Sequence, residues 1–209
     1  MTDPRPRAEG RPGPPSFAER TSYGVRETSP YSKLFEERIV FLGTPVDDAA
    51  ANDVTAQLLA LEGADPDRPV SLYINSPGGS LTATAAILDT MGYIGPEVET
   101  VCVGQAGSAA AILLAAGSRG RRAALANARV LLREPEAGLS QGSSSDLEIR
   151  AAEILRLRER MERVLAEATG RDAASVRADL DRARFLSAAE AADYGLIDTV
   201  LTTRTGTAR

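Results

Sequence analysis

The chain has 209 residues and a formal charge of −5, a length that makes one domain and an acidic balance that excludes the basic surface of a nucleic-acid-binding protein. Apolar residues make up 43% and charged residues 25%, enough to build a core, and no stretch approaches the ~20 apolar residues of a membrane span. Histidine is absent and Cys102 is the only cysteine, which excludes an imidazole base, a histidine metal ligand and an internal disulfide, and fits a reducing cytoplasm.

The chain opens on Pro4, Pro6, Pro12, Pro14 and Pro15 among Arg and Gly. That composition buries too little surface to order itself, and it lacks the charged-then-apolar order of a signal peptide. Residues 1–20 are expected to form a disordered arm, 21–201 a single domain and 202–209 a flexible tail, in a cytoplasmic protein. Strand and helix signals then alternate. The run Ile39-Val40-Phe41-Leu42 reads as a strand closed by Gly43. Asp47 and Asp48 are placed to cap a helix carrying Val54, Leu58, Leu59 and Leu61 on one face and stopping at Gly63. Val70 to Ile74 is a second strand, followed by the turn Asn75-Ser76-Pro77-Gly78-Gly79 and a helix from Ser80 through Met91. Val98 to Val103 is a third strand. Gly104 and Gly107 lead from it into the apolar helix Ser108 to Ala116, and Arg129 to Leu132 is a further buried strand. Alternation of this kind predicts an α/β domain.

The C-terminal third is different. Ser145-Asp146-Leu147-Glu148 has capping-box spacing, and Leu147, Ala151, Ile154, Leu157, Met161 and Leu165 recur at helical intervals until Gly170. The other face is charged, with Glu159 and Arg163 an i,i+4 pair. Such a helix either covers its own core or offers an apolar stripe to a neighbouring subunit. Ser187 to Glu190 is another capping box, opening a short helix that ends at Gly195.

Two Gly-rich turns, Ser76-Pro77-Gly78-Gly79-Ser80 and Gly104-Gln105-Ala106-Gly107-Ser108, each lie between a predicted strand and a predicted helix. Unpaired amides at helix starts suit an anion or a developing oxyanion. Ser108 either caps its helix, the commoner role for serine there, or presents its hydroxyl to a substrate.

Together with their surroundings these turns resemble the proteolytic subunit of the Clp protease, over roughly residues 21–201. The resemblance runs through Tyr31-Ser32-Lys33-Leu34, Glu37 to Leu42, Leu72-Tyr73-Ile74-Asn75-Ser76-Pro77-Gly78-Gly79 and Asp89-Thr90-Met91. It continues in Val103-Gly104-Gln105-Ala106, Phe185-Leu186-Ser187-Ala188 and Tyr194-Gly195-Leu196-Ile197-Asp198. It implies an α/β, crotonase-like spiral of ββα units with a protruding helical handle. It also implies heptameric rings stacked into a tetradecamer, with active sites inside, protein substrates, an AAA+ unfoldase docked outside, and no metal or cofactor.

The resemblance assigns the nucleophile to Ser108 and the oxyanion donors to the amides of Gly79 and Ala109, where methionine is usual at the latter. The family's base is a histidine in a strand–His–Gln–Pro stretch; here the stretch reads Leu131-Leu132-Arg133-Glu134-Pro135, so Arg133 stands at the base position. The family's aspartate falls at Ala183, with Asp181 one helical slip away. Arginine cannot accept a proton from serine, and a serine hydroxyl needs an adjacent base. Arg133 is expected instead to pair with Glu134 or Glu136. Lys33, the only lysine, is assigned to the N-terminal segment, which argues against a Ser-Lys dyad. The family's outer aromatic docking pocket corresponds to Ser71, Tyr73, Ile94 and Ala123, of which only Tyr73 is aromatic. Its Arg-Asp contact between rings keeps Arg182 but loses the acid at Ala183.

Three readings follow. The chain is a catalytically deficient subunit that assembles with an active paralogue, or an active serine endopeptidase whose site is completed by a neighbouring chain. The third is a crotonase-type acyl-CoA hydratase or isomerase using Glu134 as its carboxylate.

Overall fold

The structure, a computed structural model, describes residues 16–21, 24–134 and 144–202. An antiparallel hairpin comes first, β1 (Phe17–Thr21) against β2 (Gly24–Thr28). Strand β1 therefore begins inside the segment expected to be a disordered arm. Lys33 ties the hairpin to α1 (Pro30–Glu36) by reaching Glu19 of β1 at 3.0 Å and Glu36 at 3.2 Å.

Behind the hairpin lies a mixed α/β body. Strands β3 (Ile39–Leu42), β4 (Val70–Ser76), β5 (Val98–Gly107), β6 (Arg122–Leu125) and β9 (Thr199–Leu201) are parallel neighbours in that order. Strand β5 forks. Its first part, Thr100 to Cys102, pairs with β6, and its end, Gln105 to Gly107, pairs with β7 (Arg129–Leu132). Strand β8 (Arg184–Ser187) then runs antiparallel to β7. Gly104 and Gly107, expected in a turn, lie within β5 because the strand passes close to the end of β4. A Cβ on Gly104 would collide with the Asn75 side chain, and one on Gly107 with the Pro77 carbonyl.

Local chemistry sets the helices. Asp47 caps α2 (Asp48–Ala64) by accepting the Ala50 amide at 2.8 Å, and Ala51, Val54, Leu58 and Leu61 form its buried face. Ser80 caps α3 (Leu81–Tyr93). Ser187 and Glu190 form both bonds of the expected capping box at α7 (Ala188–Tyr194), which Gly195 closes at φ 94°. All seven residues of α4 (Ala109–Ala115) are buried, so this helix is the centre of the core.

Helix α5 (Ser144–Thr169) starts one residue before the expected cap, leaving Ser145 inside its first turn. Its apolar stripe divides. Met161 and Leu165 are buried in the core, whereas Leu147, Ile149 and Leu155 are exposed. The helix thus covers its own domain with its C-terminal half and leaves apolar side chains open on the other. Arg158 and Glu162 form an i,i+4 ion pair on it; the expected Glu159–Arg163 pair is not formed among the described residues. Helix α6 (Ala173–Leu180) follows, capped by Asp172. No helix among the described residues is long and apolar enough to cross a membrane.

Candidate active site

The two Gly-rich segments pack against one another at the C-terminal ends of β4 and β5. Gly78 sits at φ 96°, where side chains are rarely tolerated, and a Cβ there would collide with the Gly107 carbonyl and lie 3.1 Å from the Ala109 amide. A Cβ on Gly79 would meet the backbone of Val46. That neighbour takes up the flanking polar groups: Val46 N–H donates to Gly78 O at 2.9 Å, and Ser80 N–H donates to Val46 O at 2.7 Å. Gly78 N–H donates to the buried Ser76 hydroxyl at 3.2 Å. No bond from the Gly79 amide occurs among the described residues, and Ala109, first in its helix, has no intrahelical acceptor. The two amides expected to serve an oxyanion thus come from adjoining turns.

Ser108 lies between β5 and α4 at φ 48° and ψ −116°, a conformation that L-residues avoid. Holding it there costs about 1–3 kcal/mol, supplied by the fully buried α4 and by the Ser108 amide bonded to Leu131 O at 2.7 Å. The side chain makes no capping bond, so the capping role expected as an alternative is not the one it takes. Ser108 is 6% exposed, and among the described residues its Oγ has no hydrogen-bond partner.

Strand register gathers the other positions. The last β5–β7 pair is Gly107 with Leu131, and the last β7–β8 pair is Leu132 with Arg184. One residue further along, Ser108 leaves β5, Arg133 leaves β7, and Ala183 precedes β8 opposite Arg133. Three neighbouring strands therefore bring positions 108, 133 and 183 to one end of the sheet. Arg133 and Ala183 are exposed there. Asp181 is the C-cap of α6.

Glu134, the carboxylate a crotonase-type reaction would need, is already engaged: its Oε1 accepts from Arg158 at 2.9 Å. Glu136, the other acid expected beside Arg133, lies outside the described residues.

Comparison with known proteins shows the family. The Clp protease family pattern matches residues 22–204. The chain belongs to the Clp protease family. It is 63% identical over 187 residues to ATP-dependent Clp protease proteolytic subunit 1 of Rhodococcus jostii, covering 90% of this chain and 85% of that one. It is 62% identical over 186 residues to proteolytic subunit 2 of Corynebacterium jeikeium, covering 89% of each chain. It is 61% identical to proteolytic subunit 1 of Corynebacterium glutamicum, again over 89% of each.

Two further groups of positions bear on a Clp protease subunit. Ser71, Tyr73 and Ala123, expected to receive an unfoldase, line one open groove of about 380 Å³ together with Glu99 and Arg121. Ile94 does not join them; it is buried as the C-cap of α3. The groove carries charged groups on its lining: Ser71 Oγ donates to Glu99 at 3.0 Å, and Arg121 bridges Glu97 at 2.8 Å and Glu99. Arg182, expected at a ring–ring contact, is exposed in the turn between α6 and β8.

Sequence reasoning missed the buried charge behind this Clp protease site. Glu162 was not singled out in the sequence, yet its side chain is only 2% exposed. Burial pushes its carboxyl up, but hydrogen bonds from Arg177 and Arg158 prevail and hold it below the usual range. No local signal marks it, since Arg177 lies on another helix.

Proposed function

We propose that this chain is a catalytically deficient proteolytic-subunit-like component of an ATP-dependent Clp protease, working beside an active paralogue. One observation carries the proposal: Ser108 keeps the strained turn of a nucleophile, while no imidazole exists anywhere in the chain and Arg133 holds the neighbouring strand end. Arginine stays protonated below a pH of about 12 and cannot draw the proton from Oγ. Removing the base of a Ser-His-Asp unit costs about 10⁶-fold in kcat. The oxyanion amides alone leave about 10³–10⁴-fold over water, too little for a working peptidase.

The scaffold keeps what assembly needs. Curated relatives are named proteolytic subunits 1 and 2, a numbering that fits complexes built from more than one such chain. In heptameric rings stacked into a tetradecamer, Arg182 retains the donor of the family's ring–ring pair, and Ala183 removes the acceptor. A ring of identical chains loses that charge-assisted bond, whereas a paralogue that keeps the aspartate restores it. Native mass spectrometry of this chain mixed with an active Clp proteolytic paralogue should therefore show mixed tetradecamers; only separate homo-oligomers would oppose the proposal.

Unfoldase docking is assigned to the partner. Aromatic anchors dominate such interfaces, and here Ser71 and Ala123 line a groove shared with the ion-paired Glu99 and Arg121. Ser71→Tyr combined with Ala123→Phe is expected to strengthen binding of an AAA+ unfoldase to this chain in a pull-down titration. Unchanged binding would count against this division of labour.

A further inference from the structure

Glu162 uses both carboxylate oxygens. Oε1 accepts from Arg158 Nε at 2.9 Å, one turn earlier on α5. Oε2 accepts from Arg177 on α6, at 2.9 Å from Nε and 2.7 Å from Nη2. Arg158 extends the chain of contacts, because its Nη1 lies 2.9 Å from Glu134 Oε1. The Glu134 amide in turn donates to Leu180 O, the last residue of α6, at 3.0 Å. Glu134 is thus held twice, by the α6 backbone and by an α5 side chain, and Glu162 binds those two helices to each other.

Stability alone is a poor reason for this arrangement. A buried ion pair gains little over well-packed apolar residues of similar size. What several charge-assisted bonds on one carboxylate do supply is direction: they fix donor positions that an apolar contact would let slide. The segment they fix is the end of β7, immediately after residue 133.

We propose that Glu162 is a positioning residue for the candidate site: by orienting Arg158 it holds Glu134, and so sets where residue 133 emerges beside Ser108. This rests on reading position 133 as the place of the family's base, but not on whether the chain cleaves anything.

The test exploits the missing histidine. Arg133→His puts the only imidazole into the full-length chain, so its ring signals need no assignment and their pH titration by NMR reports the surroundings of that position. Adding Glu162→Asp keeps the negative charge but shortens its reach. The expected result is a displaced imidazole midpoint, together with exchange of the Glu134 amide at least about tenfold faster by hydrogen exchange. Arg158→Lys, which keeps the charge but loses the forked geometry, should do the same and covers the case in which the aspartate variant fails to fold. Leu58→Ala, a core truncation in α2 far along the chain, should lower global stability and leave the midpoint in place. If Glu162→Asp or Arg158→Lys folds and leaves both the midpoint and the Glu134 exchange unchanged, Glu162 is only a structural ion and the proposal is overturned.

Discussion

Replacing Arg133 with histidine and Ala183 with aspartate together should turn the isolated chain into a peptidase that cleaves a short fluorogenic peptide. The β5–β7–β8 register already brings positions 108, 133 and 183 to one end of the sheet. The Ser108 turn is already paid for in backbone strain, and the Gly79 and Ala109 amides already adjoin it. Only proton transfer is missing. A histidine without its acid is held in the wrong tautomer, which costs about 10⁴-fold, so Arg133→His alone should recover a small fraction of the double variant's rate. Ser108→Ala in the double background should return the rate to baseline. A folded double variant no faster than the unmodified chain would mean that the scaffold, and not only the base and its orienting acid, has diverged.

The second large effect concerns stability. Arg122 is buried, and its guanidinium donates to Asp198 from Nε at 3.0 Å and from Nη2 at 2.6 Å, while Nη1 donates to Ala115 O at 3.2 Å and Ala168 O at 3.0 Å. It therefore joins β6, the end of α4, α5 and the turn before β9. Arg122→Met removes every side-chain donor to two carbonyls and to the Asp198 carboxylate, which keeps its bond from the residue-122 amide at 3.0 Å. It should cost about 3 kcal/mol in urea unfolding. The same pair predicts acid sensitivity. The Arg122 hydrogen bond holds the Asp198 carboxyl below its ordinary value despite the opposing effect of burial. Its stabilisation is complete above the unfolded aspartate pKa of about 3.9 and is lost as pH falls through the lower folded value. Removing Arg122 abolishes that part of the acid dependence. An Arg122→Met protein as stable as the parent, with the same acid profile, would show that the pair contributes nothing.

Elements with strong local chemistry were legible in the sequence. Ile39–Leu42 and Arg129–Leu132 were bounded correctly, and Asp47 and Ser187 announced α2 and α7 through side-chain caps. Strand β6 was not legible, because Arg-Ala-Ala-Leu carries no β-branched residue; it is held in place by Asp198, 76 residues away. Strands β8 and β9 are likewise short and owe their existence to partners distant in sequence. The length of β5 was underestimated because its glycines signal a turn, whereas they serve close approach to β4. At the candidate site, the two Gly-rich segments were visible as motifs, but their contact depends on the β4–β5 pairing. The burial of Ile94 and Glu162 depends likewise on elements that no local pattern reveals.

The most direct test is hydrolysis of a fluorogenic peptide amide by the purified chain free of any paralogue, compared with its Ser108→Ala variant. The two should be indistinguishable and close to background. Turnover that disappears with Ser108→Ala would show that a base reaches Ser108 after all, and would contradict the account.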